Sequence, residues 1–333
     1  MKSSLLKISI EDHTMSKLKK ILICGASGFI GRNMAEYFAA QNDVEVYGTY
    51  WTSQKLKHPK IKMFKINLTN QKNANQIVKG MDIIIQAAAV TSGARDIIEK
   101  PYIHVTDNAI MNSLIFRAAH QHHVSHVIFF SCSIMYPSHN TPVSEDIFNP
   151  NHEIHPAYFG AAWTKIYIEK MCKFYSTLGH TKYTAIRHSN IYGPHDKFDL
   201  KHSHVFGATT TKIMKTQNKK ITLWGNGEEE RDLLYISDLI HFVDLSIEKQ
   251  KTNFELCNVG CGETISINDL AKKIIHSSGK QITIKHNTSA PSIKTKICLD
   301  ISKAKQLFGW KPQISLDEGI KQTLNWYKFY FTQ

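Results

Sequence analysis

Apolar and polar positions alternate in blocks along the first 190 or so residues. Lys20–Cys24 is a short apolar run ending in glycine, and Asn33–Gln41 follows with helical spacing. Val44–Tyr47 and Ile61–Ile66 read as further strands. Met81–Ala89 stays apolar without alternation, the pattern of a strand buried on both faces. Asn108–His120 reads as a helix, His126–Ser131 as a strand, Ala162–Ser176 as an amphipathic helix and Tyr183–Arg187 as a strand. This repeated β-α-β order predicts a doubly wound parallel sheet in the α/β class. After Gly193 the pattern loosens. His195–His204 is a polar loop, Val205–Lys215 a helix, and Ile221–Trp224 a strand closed by the turn Gly225-Asn226-Gly227. Glu255–Val259 is another strand, and Ile267–Ser277 a helix capped by Ser266. Residues 281–333 finish with a strand, a short helix around Ser302–Phe308 and a terminal helix Leu316–Tyr330.

Composition narrows the class. The 333 residues are 42% hydrophobic and 21% charged, ordinary globular values, and the chain can bury a core without metal or disulfide staples. No apolar stretch reaches the length of a membrane span. The first residues carry Lys2, Lys7, Glu11 and Asp12 with no apolar core of a leader, so no secretory signal is expected, and Met15 is an alternative start. The scattered thiols point to a reducing, cytoplasmic setting. Cys257 and Cys261 lack a matching second pair, so no metal site is expected there. The cluster His120, His122, His123 and His126 reads as a helix-end surface. A net charge of +13 fits nucleic acid, an anionic membrane or phosphorylated small molecules. The lysines are dispersed and no Arg-rich run occurs, so neither a nucleic-acid nor a membrane partner is expected. A basic cleft for a diphosphate is compatible.

The candidate chemistry begins at Gly25-Ala26-Ser27-Gly28-Phe29-Ile30-Gly31, which follows the first strand and opens the first helix. Glycines there permit a tight turn, close approach to a pyrophosphate and close helix–strand packing. The helix start then supplies N–H donors and partial positive charge. Strand two ends in Gly48-Thr49-Tyr50-Trp51-Thr52-Ser53, without a carboxylate to grip ribose hydroxyls. Arg32, Lys55 and Lys57 lie nearby. NADP is therefore the expected cofactor, with NAD as the alternative.

Further segments carry a resemblance. They include Gln86-Ala87-Ala88-Ala89, Ser131-Cys132-Ser133-Ile134-Met135-Tyr136-Pro137, Asn190-Ile191-Tyr192-Gly193-Pro194-His195-Asp196 and Leu223-Trp224-Gly225-Asn226-Gly227. Arg231-Asp232-Leu233-Leu234-Tyr235-Ile236-Ser237-Asp238 and Leu307-Phe308-Gly309-Trp310-Lys311-Pro312 complete the series. Over about residues 19–330 it resembles the extended short-chain dehydrogenase/reductase family of nucleotide-sugar epimerases, dehydratases and reductases, and within it the GDP-L-fucose synthase branch. The resemblance implies a Rossmann-like NAD(P)-binding domain at 19–193 with a return segment at about 232–261. It implies a smaller α+β nucleotide-sugar domain from 194–231 and 262–333, after a polar extension at 1–18. It implies cofactor contacts at Gly25, Ser27, Gly28, Phe29, Ile30, Gly31, Arg32, Asn67, Leu68, Ala87, Ala88, Ala89, Asn108, Lys165, His188, Asn190 and Ile191. Substrate contacts fall on Asn190, His204, Lys212, Trp224 and Arg231, for a nucleotide-sugar with GDP preferred and polysaccharide biosynthesis as the setting. The family also suggests a homodimer through the lysine-bearing helix, with Ile166, Ile168, Met171, Phe174 and Tyr175 as the compatible stripe.

The same resemblance exposes departures. The family works through a Ser/Thr and a Tyr-x-x-x-Lys pair, in which the phenol exchanges a proton while the lysine lowers its pKa and holds the nicotinamide ribose. Here Lys165 is present, but Ala161 stands four residues before it. Cys132, with Ser133 beside it, occupies the Ser/Thr place. The epimerising cysteine position falls on Ile134, and its histidine partner on His204. Tyr158 is a candidate substitute acid and Cys132 a candidate acid or nucleophile. Three readings stay open: an epimerase or reductase with unusual groups, a protein that binds cofactor and sugar without turnover, and an inactivated variant.

Overall fold

The computed structural model describes residues 18–91, 94–290 and 295–331; the expected N-terminal extension lies outside them, apart from residue 18. In chain order the elements begin with β1 (Lys19–Cys24), α1 (Phe29–Ala39), β2 (Val44–Tyr50), β3 (Ile61–Lys65), α2 (Gln71–Val78), β4 (Ile83–Gln86), α3 (Ala94–Glu99), α4 (Thr106–Gln121) and β5 (His126–Phe130). Next come α5 (Phe159–Tyr175), β6 (Lys182–His188), β7 (Asn190–Tyr192), α6 (Val205–Lys215), β8 (Lys220–Trp224), β9 (Glu230–Arg231), β10 (Leu233–Tyr235) and α7 (Ile236–Lys249). The chain closes with β11 (Phe254–Val259), β12 (Ile265–Ser266), α8 (Ile267–Ser278), β13 (Thr283–Asn287), α9 (Ser302–Phe308) and α10 (Leu316–Phe331).

Seven strands form one sheet in the order β11-β6-β5-β4-β1-β2-β3, and every pairing in it is parallel. That is the doubly wound arrangement the β-α-β pattern predicts, and the right-handed crossover rule places its helices on both faces. Period-two alternation sorts the side chains. Ile21, Ile23, Ile83, Ile85, Ile128 and Phe130 pack on the face that carries α1 and α7. Leu22, Cys24, Ile84, Val127 and Phe129 pack on the face of α2, α4 and α5. Because both faces are covered, the central strands read as unbroken apolar runs.

The remaining strands make three small two-stranded sheets: β7 with β10, β9 with β12, and β8 with β13. Helices α6, α8 and α10 pack on them, and Phe206, Ile213, Leu270, Ile274, Ile320 and Leu324 join the same apolar cluster as α1 and α7. Ser266 caps α8 as expected, accepting the Asp269 N–H, and Gly279 ends it in the left-handed conformation.

Several expectations are corrected. The strand expected over Met81–Ala89 is only Ile83–Gln86, because Ala87 and Ala88 leave the sheet to touch the glycine turn. The first helix starts at Phe29, not Asn33, with Gly28 as its N-cap. Helices α2 and α7 were not expected. The former is short and polar; the latter follows directly on β10 with no turn residue between. His126 is not a surface residue. It opens β5 fully among neighbours, with Nε2 2.8 Å from Thr184 Oγ1, and burial pushes its pKa down to about 3. In the stripe Ile166, Ile168, Met171, Phe174 and Tyr175, the two isoleucines are buried in the chain's own core, and only Phe174 joins Phe159 and Tyr167 on the outward apolar face of α5.

Candidate functional site

The site gathers at the carboxyl ends of β1, β4, β5 and β6, where an open parallel sheet leaves a crevice. β1 ends at Cys24 and turns through Gly25 into α1. Gly25 has φ +76°, and a Cβ on it would stand 2.7 Å from Ala88 Cα. A Cβ on Gly31 would stand 2.2 Å from the Gly25 carbonyl oxygen. Only glycine fits at either place. Gly28 donates its N–H to Gly25 O at 2.9 Å, and no side chain caps α1. The first bond within the helix runs from Arg32 N to Gly28 O, so the N–H groups of Phe29, Ile30 and Gly31 have no acceptor inside it. An uncapped helix start beside a turn cleared of side chains fits a pyrophosphate.

The loop after β2 closes one side of this cradle. Thr49 Oγ1 accepts the Gly25 N–H at 3.0 Å, and Ser27 Oγ accepts the Leu56 N–H at 3.2 Å. Ser27 therefore holds a loop whose exposed Lys55 and Lys57 flank Leu56. Tyr50–Lys57 contains no acid. Arg32 turns along α1, its Nε donating to Glu36 Oε1 at 2.8 Å. Asn67 spends its side-chain oxygen on the Thr69 N–H and hydroxyl of its own turn, and Leu68 is buried beside it. On the other side, Ala87 donates its N–H to Cys24 O at 3.1 Å, and Ala89 is exposed. Asn108 holds both the N–H and the carbonyl of Val90, at 2.9 and 3.0 Å. It thus positions the segment that follows β4 rather than facing the open cleft.

The next wall of the site is built on α5. A one-turn helix at Pro156–Tyr158 leads into it, and Tyr158 is its N-cap residue. Lys165 Nζ donates to the Phe130 carbonyl at 2.7 Å and lies 4.9 Å from the Phe129 ring centre. Burial pulls the lysine's pKa down, while Cys132 and Glu169 oppose that shift. Burial raises the Cys132 thiol, partly countered by the Lys165 charge. Burial also raises the Tyr158 phenol, with Arg231 lowering it and Cys132 raising it further. Lys165, Cys132, Tyr158 and Arg231 therefore form one connected electrostatic group. Ala161 stands a turn before Lys165 and offers only a methyl group. Ser133 carries its backbone carbonyl to the Tyr136 N–H at 3.1 Å.

His188 ends β6 with Nδ1 2.7 Å from Ser189 O, and burial lowers its pKa to about 4. His204 is the N-cap residue of α6 without a side-chain cap, and desolvation, then Lys197 and His104, lower its pKa as well. Beyond β6, Asn190 donates its backbone N–H to Asp232 O at 3.0 Å and its amide to the same oxygen at 3.1 Å, and Ile191 is buried on β7. Arg231 donates from Nη1 to Glu230 O and Thr295 O, both at 2.7 Å. Lys212 Nζ donates to Thr222 O at 2.8 Å and lies 5.5 Å from the centre of the half-exposed Trp224 ring. Lys212 and Trp224 thus pair with each other across α6 and β8.

Sequence reasoning missed the groups that hold these residues in place. Arg187 is buried on β6 and grips Glu169 of α5 through Nε (3.0 Å) and Nη2 (2.7 Å), while Nη1 donates to Tyr136 Oη at 2.9 Å. Glu169 also accepts the Ser131 hydroxyl. Asp232 accepts the N–H groups of Cys261, Gly262 and Leu299. Asp238 accepts those of Gln313 and Ile314. The available signal was a charge inside an apolar run, as at Arg187 within Tyr183–His188. Among the described residues no group of His, Cys, Asp and Glu is arranged to hold a metal, and no described helix is long and apolar enough to cross a membrane.

A parallel sheet in this strand order with a glycine cradle at its switch point defines a dinucleotide-binding α/β protein. More narrowly, the chain belongs to the NAD dependent epimerase/dehydratase family, whose profile matches residues 21–260. It is an enzyme-family member of the nucleotide-sugar epimerase/dehydratase type. It is 27% identical to GDP-L-fucose synthase of Escherichia coli over 94% of this chain and 97% of that one. It is 26% identical to GDP-L-colitose synthase of Yersinia pseudotuberculosis, over 92% of this chain and 97% of that one. The structure of UDP-glucose 4-epimerase with UDP-glucose from Thermotoga maritima superposes with a TM-score of 0.82 at 22% identity, covering 93% of this chain and 99% of that one.

Replacing Arg187 by Leu strands the Glu169 carboxylate, and the loss expected is about 3–5 kcal/mol of stability. The pair replacement R187L/E169L should cost less than R187L alone, because no charge is left buried. Urea unfolding midpoints of the two variants check this.

Proposed function

We propose that the protein modifies a nucleotide-linked ketosugar, with NADP in the glycine cradle and a GDP-sugar as preferred substrate. It acts as an epimerase, a reductase or both, using acid–base groups displaced from the family's tyrosine position. The observation that carries this reading is Cys132, in electrostatic reach of both Lys165 and Tyr158. The nicotinamide cofactor, when bound, supplies hydride chemistry.

The chain's own residues divide the remaining work. The N–H groups of Phe29, Ile30 and Gly31 hold the pyrophosphate. Lys165 holds the nicotinamide ribose and places positive charge beside the sugar carbonyl. Arg231 and Lys212 face the substrate diphosphate, to which a guanidinium fork is well matched. Trp224 offers its exposed ring to the base. Raised pKa values keep Cys132 and Tyr158 protonated near neutral pH, as proton donors. A lowered pKa keeps His204 neutral, as a proton acceptor. Epimerisation beside a ketone needs only such a pair and a stabilised enolate. Ala161 favours the second reading, a protein that binds both ligands and leaves them unchanged.

The six cysteines are all free, which supports a reducing, cytoplasmic setting. A homodimer through α4 and α5 is supported by the outward Phe159, Tyr167 and Phe174, more than half exposed, and by Ile110 on the neighbouring helix.

Incubation with NADPH and GDP-4-keto-6-deoxymannose in deuterated water should place deuterium at C3 or C5 of the sugar, read by NMR. NADPH loss with a reduced sugar marks an added reductase step. If both ligands bind and neither change occurs across a panel of nucleotide-sugars, the non-catalytic reading replaces this one. His204→Gln should slow exchange by about 10²–10⁴-fold. Since the acceptor must be neutral and its pKa is depressed, the wild-type rate should hold at pH values below the ordinary imidazole titration and fall only at lower pH. The variant's residual rate should lack that limb. In light scattering, a Y167E/F174E double variant should run as a monomer and the wild type as a dimer.

A further inference from the structure

The NADP reading rests on cations around the ribose end of the cradle, and Arg32 is the one nearest the glycine turn. Its guanidinium is not idle. Nε donates to Glu36 Oε1 at 2.8 Å, one turn along α1. The other carboxylate oxygen, Glu36 Oε2, lies 3.5 Å from His195 Nε2. One carboxylate is thus shared between a cofactor-side arginine and a histidine from the loop after β7. Burial works against ionisation of Glu36, but the hydrogen bonds from His195 and Arg32 hold its pKa down at about 2, so it is anionic throughout the neutral range.

The histidine end of this chain is firmly placed. His195 has φ +67°, and its ring packs 4.9 Å from the Trp326 ring and 6.0 Å from Tyr330, both on α10. Beside it, Asn33 Nδ2 donates to Pro194 O at 3.0 Å and to Phe29 O at 2.9 Å. The loop is therefore latched to the first two turns of α1 at two points. Arg32 is the movable member, a long side chain with a third of its surface in solvent.

We propose that Glu36 sets cofactor selectivity as a positioning residue: it competes with the 2′-phosphate of NADP for Arg32, and His195 steadies the carboxylate when Arg32 leaves it. This rests on the reading of Arg32 as a 2′-phosphate ligand. The consequence is a pair of opposite effects. Removing the Glu36 charge frees Arg32 and favours the phosphate. Removing His195 leaves Glu36 with Arg32 as its sole partner of the two, which binds the arginine more tightly and disfavours the phosphate. NAD, without the phosphate, is indifferent to both changes.

The test measures dissociation constants of NADP and NAD by calorimetry on the purified full chain. Glu36→Gln should tighten NADP by about two- to fivefold, the range expected for a helical ion pair of this exposure, and leave NAD within experimental error. His195→Phe, which keeps a ring against Trp326 but no donor, should weaken NADP by a comparable factor, again without moving NAD. Arg32→Ala should remove the preference for NADP, and Glu36→Gln added to Arg32→Ala should then change nothing. Equal shifts for both cofactors in Glu36→Gln would reduce Glu36 to a structural role and overturn the proposal. A gain that persists in the Arg32→Ala background would mean direct repulsion between carboxylate and phosphate, which also overturns it. If Arg32→Ala leaves NADP affinity unchanged, the reading of Arg32 itself fails. If Arg32→Ala weakens NADP while Glu36→Gln has no effect, the Arg32 reading stands and the role of Glu36 fails.

Discussion

The buried pair of Arg187 and Glu169 is the constraint on which the site depends. Two ions taken out of water are tolerable only if each is paired and hydrogen-bonded, and here almost every group is. Glu169 receives two guanidinium contacts and a serine hydroxyl. Arg187 passes its remaining contacts to Tyr136 Oη and to Glu145 O. Tyr136 in turn donates to Asn258 on the last strand of the sheet. The pair thereby fixes α5 to β6 in one register, and Lys165, one turn before Glu169, inherits that position.

The two halves of the cleft are held by different physics. The glycine-turn half is mostly backbone: a turn that excludes every Cβ, and a helix start with unpaired N–H groups. The half built after Gly193 relies on buried carboxylates. Asp232 gathers N–H groups from residues 261, 262 and 299, and Asp238 gathers those of 313 and 314. Both acids belong to one short segment that follows Arg231, so the same stretch that presents the guanidinium also ties together three distant pieces of chain.

Between these halves the chemistry is set by what burial does to ordinary groups. The thiol of Cys132 and the phenol of Tyr158 are pushed up, and the imidazole of His204 is pushed down. Two protonated groups and one neutral imidazole thus coexist at neutral pH beside the charge of Lys165. Glu36 adds a second layer, because one carboxylate touches both Arg32, just past the glycine turn, and the loop that leads on to His204.

Legible in the residue order alone were the parallel α/β sheet, the glycine turn, the helices Val205–Lys215 and Ser302–Phe308, and Lys165 with Ala161 four residues before it. Those features are local: a periodicity, a turn that admits no side chain, or a residue type at a fixed spacing. Tertiary structure decided what each polar side chain is spent on. Asn67 and Asn108 have the same chemistry, yet one closes its own turn and the other clamps Val90 from α4. His126 and His204 are equally plain in the sequence, and only the fold makes one a strand residue and the other the N-cap of a helix. The pairings Arg187–Glu169, Ser27–Leu56 and Glu36–His195 join residues 18, 29 and 159 positions apart. No local pattern encodes them, because partners are chosen by the packing of the sheet and not by neighbours along the chain.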